Sequence, residues 1–133
     1  MFRSHRNHAL VNRMGFNNPG REATAGRLAK LFQSKKPIQV PLFINLGKSK
    51  ATPIEKAHED YAKTVSSLHE FADAFVINVS SPNTPGLRSL QSPEQLKKVI
   101  EASQIANQNN VPMLVKISPD LACLLYTSDA ADE

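Results

Sequence analysis

A parallel α/β fold is what this sequence predicts, and three observations predict it. Short apolar runs at Val40–Leu46, Ala74–Val79 and Val111–Ile117 recur about 35 residues apart, which is βαβ spacing. Between them lie segments with helical periodicity and helix start signals. Polar residues, namely Asn45, Asn78, Ser81 and Lys116, fall at or just past the ends of the apolar runs. Right-handed crossovers put all such ends on one edge of the sheet, and on that edge parallel α/β proteins bind ligands. A doubly wound sheet and a barrel share this rhythm, so periodicity alone leaves both open.

Composition bounds the function. At 133 residues the chain holds one domain at most, and a whole (β/α)8 barrel needs about 250. Its 41% hydrophobic content is that of a globular chain, with no run long enough to span a membrane and no signal-peptide pattern. Cys123 is the only cysteine, which excludes a disulfide framework and gives no metal-ligand spacing, so no metal is expected. The formal charge of +4 could speak for nucleic acid. The basic residues are nevertheless spread through helices and loops without interleaved aromatics, which favours solvated faces over a nucleic-acid surface.

In chain order, residues 1–9 show no periodicity, and His5 and His8 read as exposed histidines. Asn12 to Asn18 is a polar loop around Gly15. Asn18-Pro19 then predicts a helix start, with Asn as N-cap, Pro at the first position and Ala25, Leu28, Ala29 and Phe32 as its apolar face. Lys35, Lys36 and Pro37 stop it. Thr52-Pro53-Ile54-Glu55 reads as a capping box, opening a helix with Ile54, Ala57, Tyr61, Val65 and Leu68 on one face. Ser92-Pro93-Glu94-Gln95 reads as a second, with Leu96, Val99, Ile100 and Ser103 facing inward and Asn109-Asn110 as the stop.

The stretch Asn78-Val79-Ser80-Ser81-Pro82-Asn83-Thr84-Pro85-Gly86 organises the rest. It follows a buried-strand pattern, and its prolines and glycine forbid continuation of that strand. Read alone, it is either a capped Asx/Ser turn or a ligand loop. Lys116 sits in an apolar run, where a lysine is costly without a partner unless the strand is an edge facing water.

This stretch, continued by Leu87-Arg88, resembles the active-site loop of the class 2, quinone-dependent dihydroorotate dehydrogenases. Three further stretches agree in the same order: Asn12-Arg13-Met14-Gly15-Phe16-Asn17-Asn18, Ile44-Asn45-Leu46-Gly47-Lys48 and Val115-Lys116-Ile117-Ser118-Pro119-Asp120. The resemblance covers residues 1–122 and implies part of a (β/α)8 TIM barrel, about three βα units. It implies a flavoenzyme that oxidises (S)-dihydroorotate to orotate with FMN as cofactor and quinone as acceptor, in pyrimidine biosynthesis. By the same resemblance Ser81 is the catalytic base, where class 1 relatives have cysteine. Asn12, Arg13, Met14, Gly15, Phe16, Asn78 and Asn83 are then substrate residues, and Asn45, Asn78 and Lys116 flavin contacts. A base of this kind must pass its proton onward as it takes one. Barrel strands on either side, the phosphate site and the membrane-seating helices of the family would lie outside this chain. The parent would be peripheral, on the cytoplasmic side of a membrane.

Residues 123–133 read differently. They match, residue for residue, the translation of a transposase-type sequencing adapter, so the expectation is a non-native tail with no evolved role. Other readings are an inert α/β piece without activity of its own, a class 1-like dihydroorotate or dihydropyrimidine flavoenzyme, and a basic binding module.

Overall fold

The computed structural model describes residues 1–12, 17–34, 38–81, 84 and 86–118. Among the expectations above, those for Arg13, Met14, Gly15, Phe16, Asn83, the Lys35-Lys36-Pro37 stop and the tail 123–133 lie outside the described residues.

Three parallel strands form the central sheet: β3 (Phe43–Leu46), β4 (Ala74–Asn78) and β5 (Met113–Lys116), in the order β3-β4-β5. They are preceded by α1 (Arg21–Phe32) and joined by α2 (Ala57–Leu68) and α3 (Pro93–Ala106). Each strand lies beside its predecessor, an order found in a barrel wall and in one half of a doubly wound sheet, whose winding reverses only between its halves. With right-handed crossovers, that order puts the helices on one face, which is the arrangement of a (β/α)8 barrel wall.

Strand alternation decides what each face carries. Ile44, Leu46, Phe75, Ile77, Val79 and Met113 point to the helices, where Tyr61, Val65, Leu68 and Val99 meet them in one core. The other face carries Phe43, Asn45, Val76, Asn78, Leu114 and Lys116 by register, and Phe43 and Leu114 are 57% and 51% exposed there. The helical faces read from the sequence hold: Ala57, Tyr61, Val65 and Leu68 of α2 are buried, as are Val99 and Ser103 of α3. Helix α1 buries no residue fully and leans Ala25 and Leu28 on the core. Its Phe32 ring packs against Phe71 at 5.6 Å between centroids.

Several boundaries differ from expectation. Helix α1 starts at Arg21 rather than at Pro19, because Asn18 Oδ1 accepts from the Gly20 N–H (2.9 Å) and Gly20 takes φ 93°, outside helical space. The Thr52 capping box does not form: a 3₁₀ turn, Ile54–Lys56, precedes α2, and the Thr52 hydroxyl pairs with Ser49 instead (2.7 Å). Ser92 is the N-cap of α3 with Pro93 behind it, but its side chain makes no capping bond. Strands β3 and β5 are shorter than their apolar runs, and α3 ends at Ala106, before Asn109. The N-terminal residues, without periodicity, form an antiparallel hairpin of β1 (Phe2–Ser4) and β2 (Ala9–Val11).

Candidate active site at the strand exits

Parallel pairing sets Asn78 opposite Lys116 and brings the exits of β3, β4 and β5 side by side. Asn78 stands in the middle and is buried, 5% exposed. Its Nδ2 donates to Asn45 Oδ1 at 3.2 Å. Its Oδ1 accepts from the Ser80 N–H (3.1 Å) and from the Ser80 hydroxyl (2.8 Å). Ser80 Oγ in turn accepts from Lys116 Nζ at 2.9 Å. Two amides, a hydroxyl and an ammonium thus form one continuous row across three exits.

Both features weighed for the lysine from the sequence, an edge position and a partner, are present. Lys116 is an exposed residue on the outer strand, yet its head group turns inward to Ser80. Among the described residues no carboxylate pairs with it. Its positive charge is therefore available to an anion at the open end of the sheet.

Helix α2 holds the row from beneath through two adjacent residues. The buried Tyr61 hydroxyl donates to the Asn78 carbonyl at 2.9 Å. Burial, and secondarily the Asp60 carboxylate, push the Tyr61 phenol well above its ordinary value, against a Lys48 backbone hydrogen bond that lowers it. Asp60, 7% exposed, accepts from the Ser49 N–H (2.6 Å) and from Arg21 (3.3 Å), tying the loop after β3 to two helices. Lys48 folds back onto the carbonyls of Ser49 (2.8 Å) and Thr52 (2.6 Å), so it closes its own loop.

Ser81 follows Ser80 directly and is half-buried. Gly86, in the left-handed region at φ 72°, turns the chain into a 3₁₀ helix, Leu87–Gln91. Arg88 of that helix donates to the Ser80 carbonyl (3.4 Å), and Gln91 Oε1 accepts from the Ser118 N–H (2.7 Å). The 3₁₀ helix is therefore fastened to the β4 and β5 exits.

Along β3, between α1 and α2, runs an open cavity of about 1100 Å³ that includes the helix-facing Ile44 and Leu46 and, on α2, Thr64 and Leu68; of the row, only Asn45 lines it. Asn45, Lys48, Asp60 and Thr84 line it together with Asn17, Asn18 and Arg21. Asn12 stands exposed just past β2, and the chain from it re-enters the described residues at Asn17, on the cavity wall. The structure thus brings Asn45, Asn78 and Lys116 together, with Ser81 next in chain to Ser80. Ser80, Tyr61 and Asp60 were not among the residues expected from the sequence. Tyr61 and Asp60 carried a usable signal, a phenol and a carboxylate adjacent on a helix whose inner face was otherwise apolar.

This arrangement agrees with what the chain is similar to. The sequence profile described as dihydroorotate dehydrogenase matches residues 1–132. A dihydroorotate dehydrogenase (quinone) of Thermosynechococcus vestitus is 52% identical over 122 residues, 92% of this chain and 32% of that protein. One from Gloeobacter violaceus is 49% identical over 121 residues, 91% of this chain and 33% of that protein. The crystal structure of DHODH from Eimeria tenella in complex with ferulenol superposes with a TM-score of 0.72 at 33% identity, covering 84% of this chain and 36% of the other. The ligand-free type of that protein gives 0.69 at the same identity, covering 82% and 36%. The chain spans about a third of the length of the curated relatives it matches. With its motifs in order, its parallel sheet and these likenesses, the chain belongs to the dihydroorotate dehydrogenase family.

Proposed function

We propose that this segment supplies one side of the active site of a quinone-dependent dihydroorotate dehydrogenase, which converts (S)-dihydroorotate to orotate in pyrimidine biosynthesis. The observation that carries the reading is the row Asn45–Asn78–Ser80–Lys116, ending in a cation that pairs with no carboxylate among the described residues. The family is flavin-dependent, and FMN is the cofactor we assign. The donor set fits such a group: amides match a heterocycle that alternates donors and acceptors, and an ammonium suits a ring that becomes negative on reduction.

Asn45, Asn78 and Lys116 would hold the flavin, and Asn12 and Asn83, with the loop Arg13-Met14-Gly15-Phe16, would hold the substrate together with Asn78. When bound, the flavin supplies the acceptor for the hydride that leaves C6 of dihydroorotate. Ser81 takes the proton from C5. A hydroxyl does this only if its own proton moves on as the new one arrives, so Ser81 needs an onward acceptor in the closed site. The amides would orient the pyrimidine ring, and the bonds that hold Ser80 and Ser118 at the strand exits would keep Ser81 in place beside it. Because quinones are lipid-soluble, the reading includes a peripheral enzyme at the cytoplasmic face of a membrane. No described helix here is long and apolar enough to cross one.

The test is Ser81→Ala in a full-length enzyme containing this segment, followed by anaerobic stopped-flow. Reduction of the flavin by dihydroorotate is expected to slow by about 10² to 10⁴ while orotate affinity stays near wild type. An unchanged rate of flavin bleaching refutes the assignment of Ser81.

A further inference from the structure

Ser80 is the residue in the strand-exit row to which sequence reading gives no role, yet it is bound on every side. It is 5% exposed. Its N–H and Oγ–H both donate to Asn78 Oδ1 (3.1 and 2.8 Å), its Oγ accepts from Lys116 Nζ (2.9 Å), and its carbonyl accepts from Arg88 (3.4 Å). We propose that Ser80 is a positioning residue of this site, whose hydroxyl fixes which way the Asn78 amide faces and where the Lys116 ammonium rests.

The donor inventory makes the row directional. A lysine ammonium can only donate, so Ser80 Oγ must receive from Lys116 with a lone pair. The single hydroxyl proton is then spent on Asn78 Oδ1, which already takes the Ser80 N–H. With its carbonyl end doubly held, the Asn78 amide is forced to present Nδ2 outward, to Asn45 Oδ1. Donation therefore runs one way, from Lys116 through Ser80 and Asn78 to Asn45. The row ends on the Asn45 NH₂, which meets no protein acceptor among the described residues.

An alanine at position 80 cuts this row in the middle. Asn78 Oδ1 keeps one donor instead of two, so the reversed amide becomes accessible. Lys116 loses its side-chain partner, so nothing in the row holds its ammonium at the exit. Ser80 is itself too buried to need contact with substrate or cofactor. Its effect passes through Asn78 and Lys116.

The experiment compares wild type, Ser80→Ala and Ser80→Thr in a full-length enzyme containing this segment; its flavin and orotate arms rest on the function proposed above. Freeing the Asn78 amide, which is assigned to the substrate, should weaken orotate binding about tenfold in the Ala variant. That variant should also weaken reduced relative to oxidised flavin about tenfold, a fall of about 30 mV in the two-electron midpoint potential. Thr keeps the hydroxyl and should stay near wild type in both. Without any ligand, side-chain amide resonances of Asn45 and Asn78 in ¹⁵N-Asn protein should move in the Ala variant and return in the Thr variant. An Ala variant with unchanged potential, orotate affinity and amide resonances overturns the proposal. So does a Thr variant as impaired as Ala, because then the hydroxyl is not what matters. A wild type that holds no flavin would overturn the functional reading instead, and the amide resonances alone would then decide for or against Ser80.

Discussion

A single hydroxyl under the β4 exit shows how much rests on individual atoms here. Tyr61 fills the core with its ring and spends its O–H on the Asn78 carbonyl. Tyr61→Phe keeps the ring but leaves that buried carbonyl short of its donor. The expected loss is about 1–3 kcal/mol of stability, read from urea unfolding of the full-length protein containing this segment. The pH dependence has a definite sign. The folded phenol is raised by burial above the unfolded value near pH 10, so both states are neutral below about pH 10 and the contribution is whole there. Above it the unfolded chain sheds the proton first and stability falls. The Phe variant should therefore show a shallower alkaline decline when urea midpoints are compared from about pH 8 to 11. Ser80 illustrates the opposite end of legibility. Its role depends on Lys116, 36 positions away, and a small polar residue after a strand carries no mark of that partner.

Among the elements, burial pattern decided what could be read ahead. Helices α2 and α3 and strand β4 were legible because an apolar face or run repeats through them and is satisfied in one core. The hairpin β1–β2 was not, since its strands are only three residues each and lie largely in solvent, so no alternation marks them. Helix starts were misread where a local side-chain bond outcompeted capping, as at Asn18 and Thr52. The turn into the 3₁₀ helix gives an element-scale prediction. A Cβ at Gly86 would meet only Ile54 Cδ1 at 3.9 Å, so space is not the constraint; φ 72° is. Gly86→Ala is expected to cost about 1–2 kcal/mol and to loosen the loop bearing Ser81. Hydrogen exchange at Leu87 and Ser89, whose N–H groups bond to Thr84 and Gly86, would register it; unchanged protection would contradict the expectation.

For the molecule as a whole, the sheet is finished on one face only. The face opposite the helices leaves Phe43 and Leu114 half in water, and among the described residues β3 and β5 each pair with β4 alone. The contacts assigned to flavin, Asn45, Asn78 and Lys116, reach one part of such a cofactor, each worth about 0.5–1.5 kcal/mol net, or up to about 3 for the charged one. Set against the ordering of cofactor and loops, that is too little for retention. Residues 1–133 alone are therefore expected to emerge colourless from equilibrium dialysis against FMN. Stoichiometric yellow protein that bleaches with dihydroorotate would contradict this.

The pairing of Asn78 with Lys116 also decides which genetic changes this architecture survives. The connection before β5 fixes where that strand starts: Asn107 Oδ1 accepts from the Val111 N–H (3.1 Å) and its Nδ2 donates to the Val111 carbonyl (2.7 Å). A change of one residue inside β5 leaves this start in place and shifts everything after it. It would set Val115 or Ile117 opposite Asn78 and turn the ammonium to the other side of the sheet. A codon gained or lost in that strand would thus remove the charge from the exit and press an ammonium toward the helix-facing side of the sheet, so the site and the stability of the sheet would be lost together.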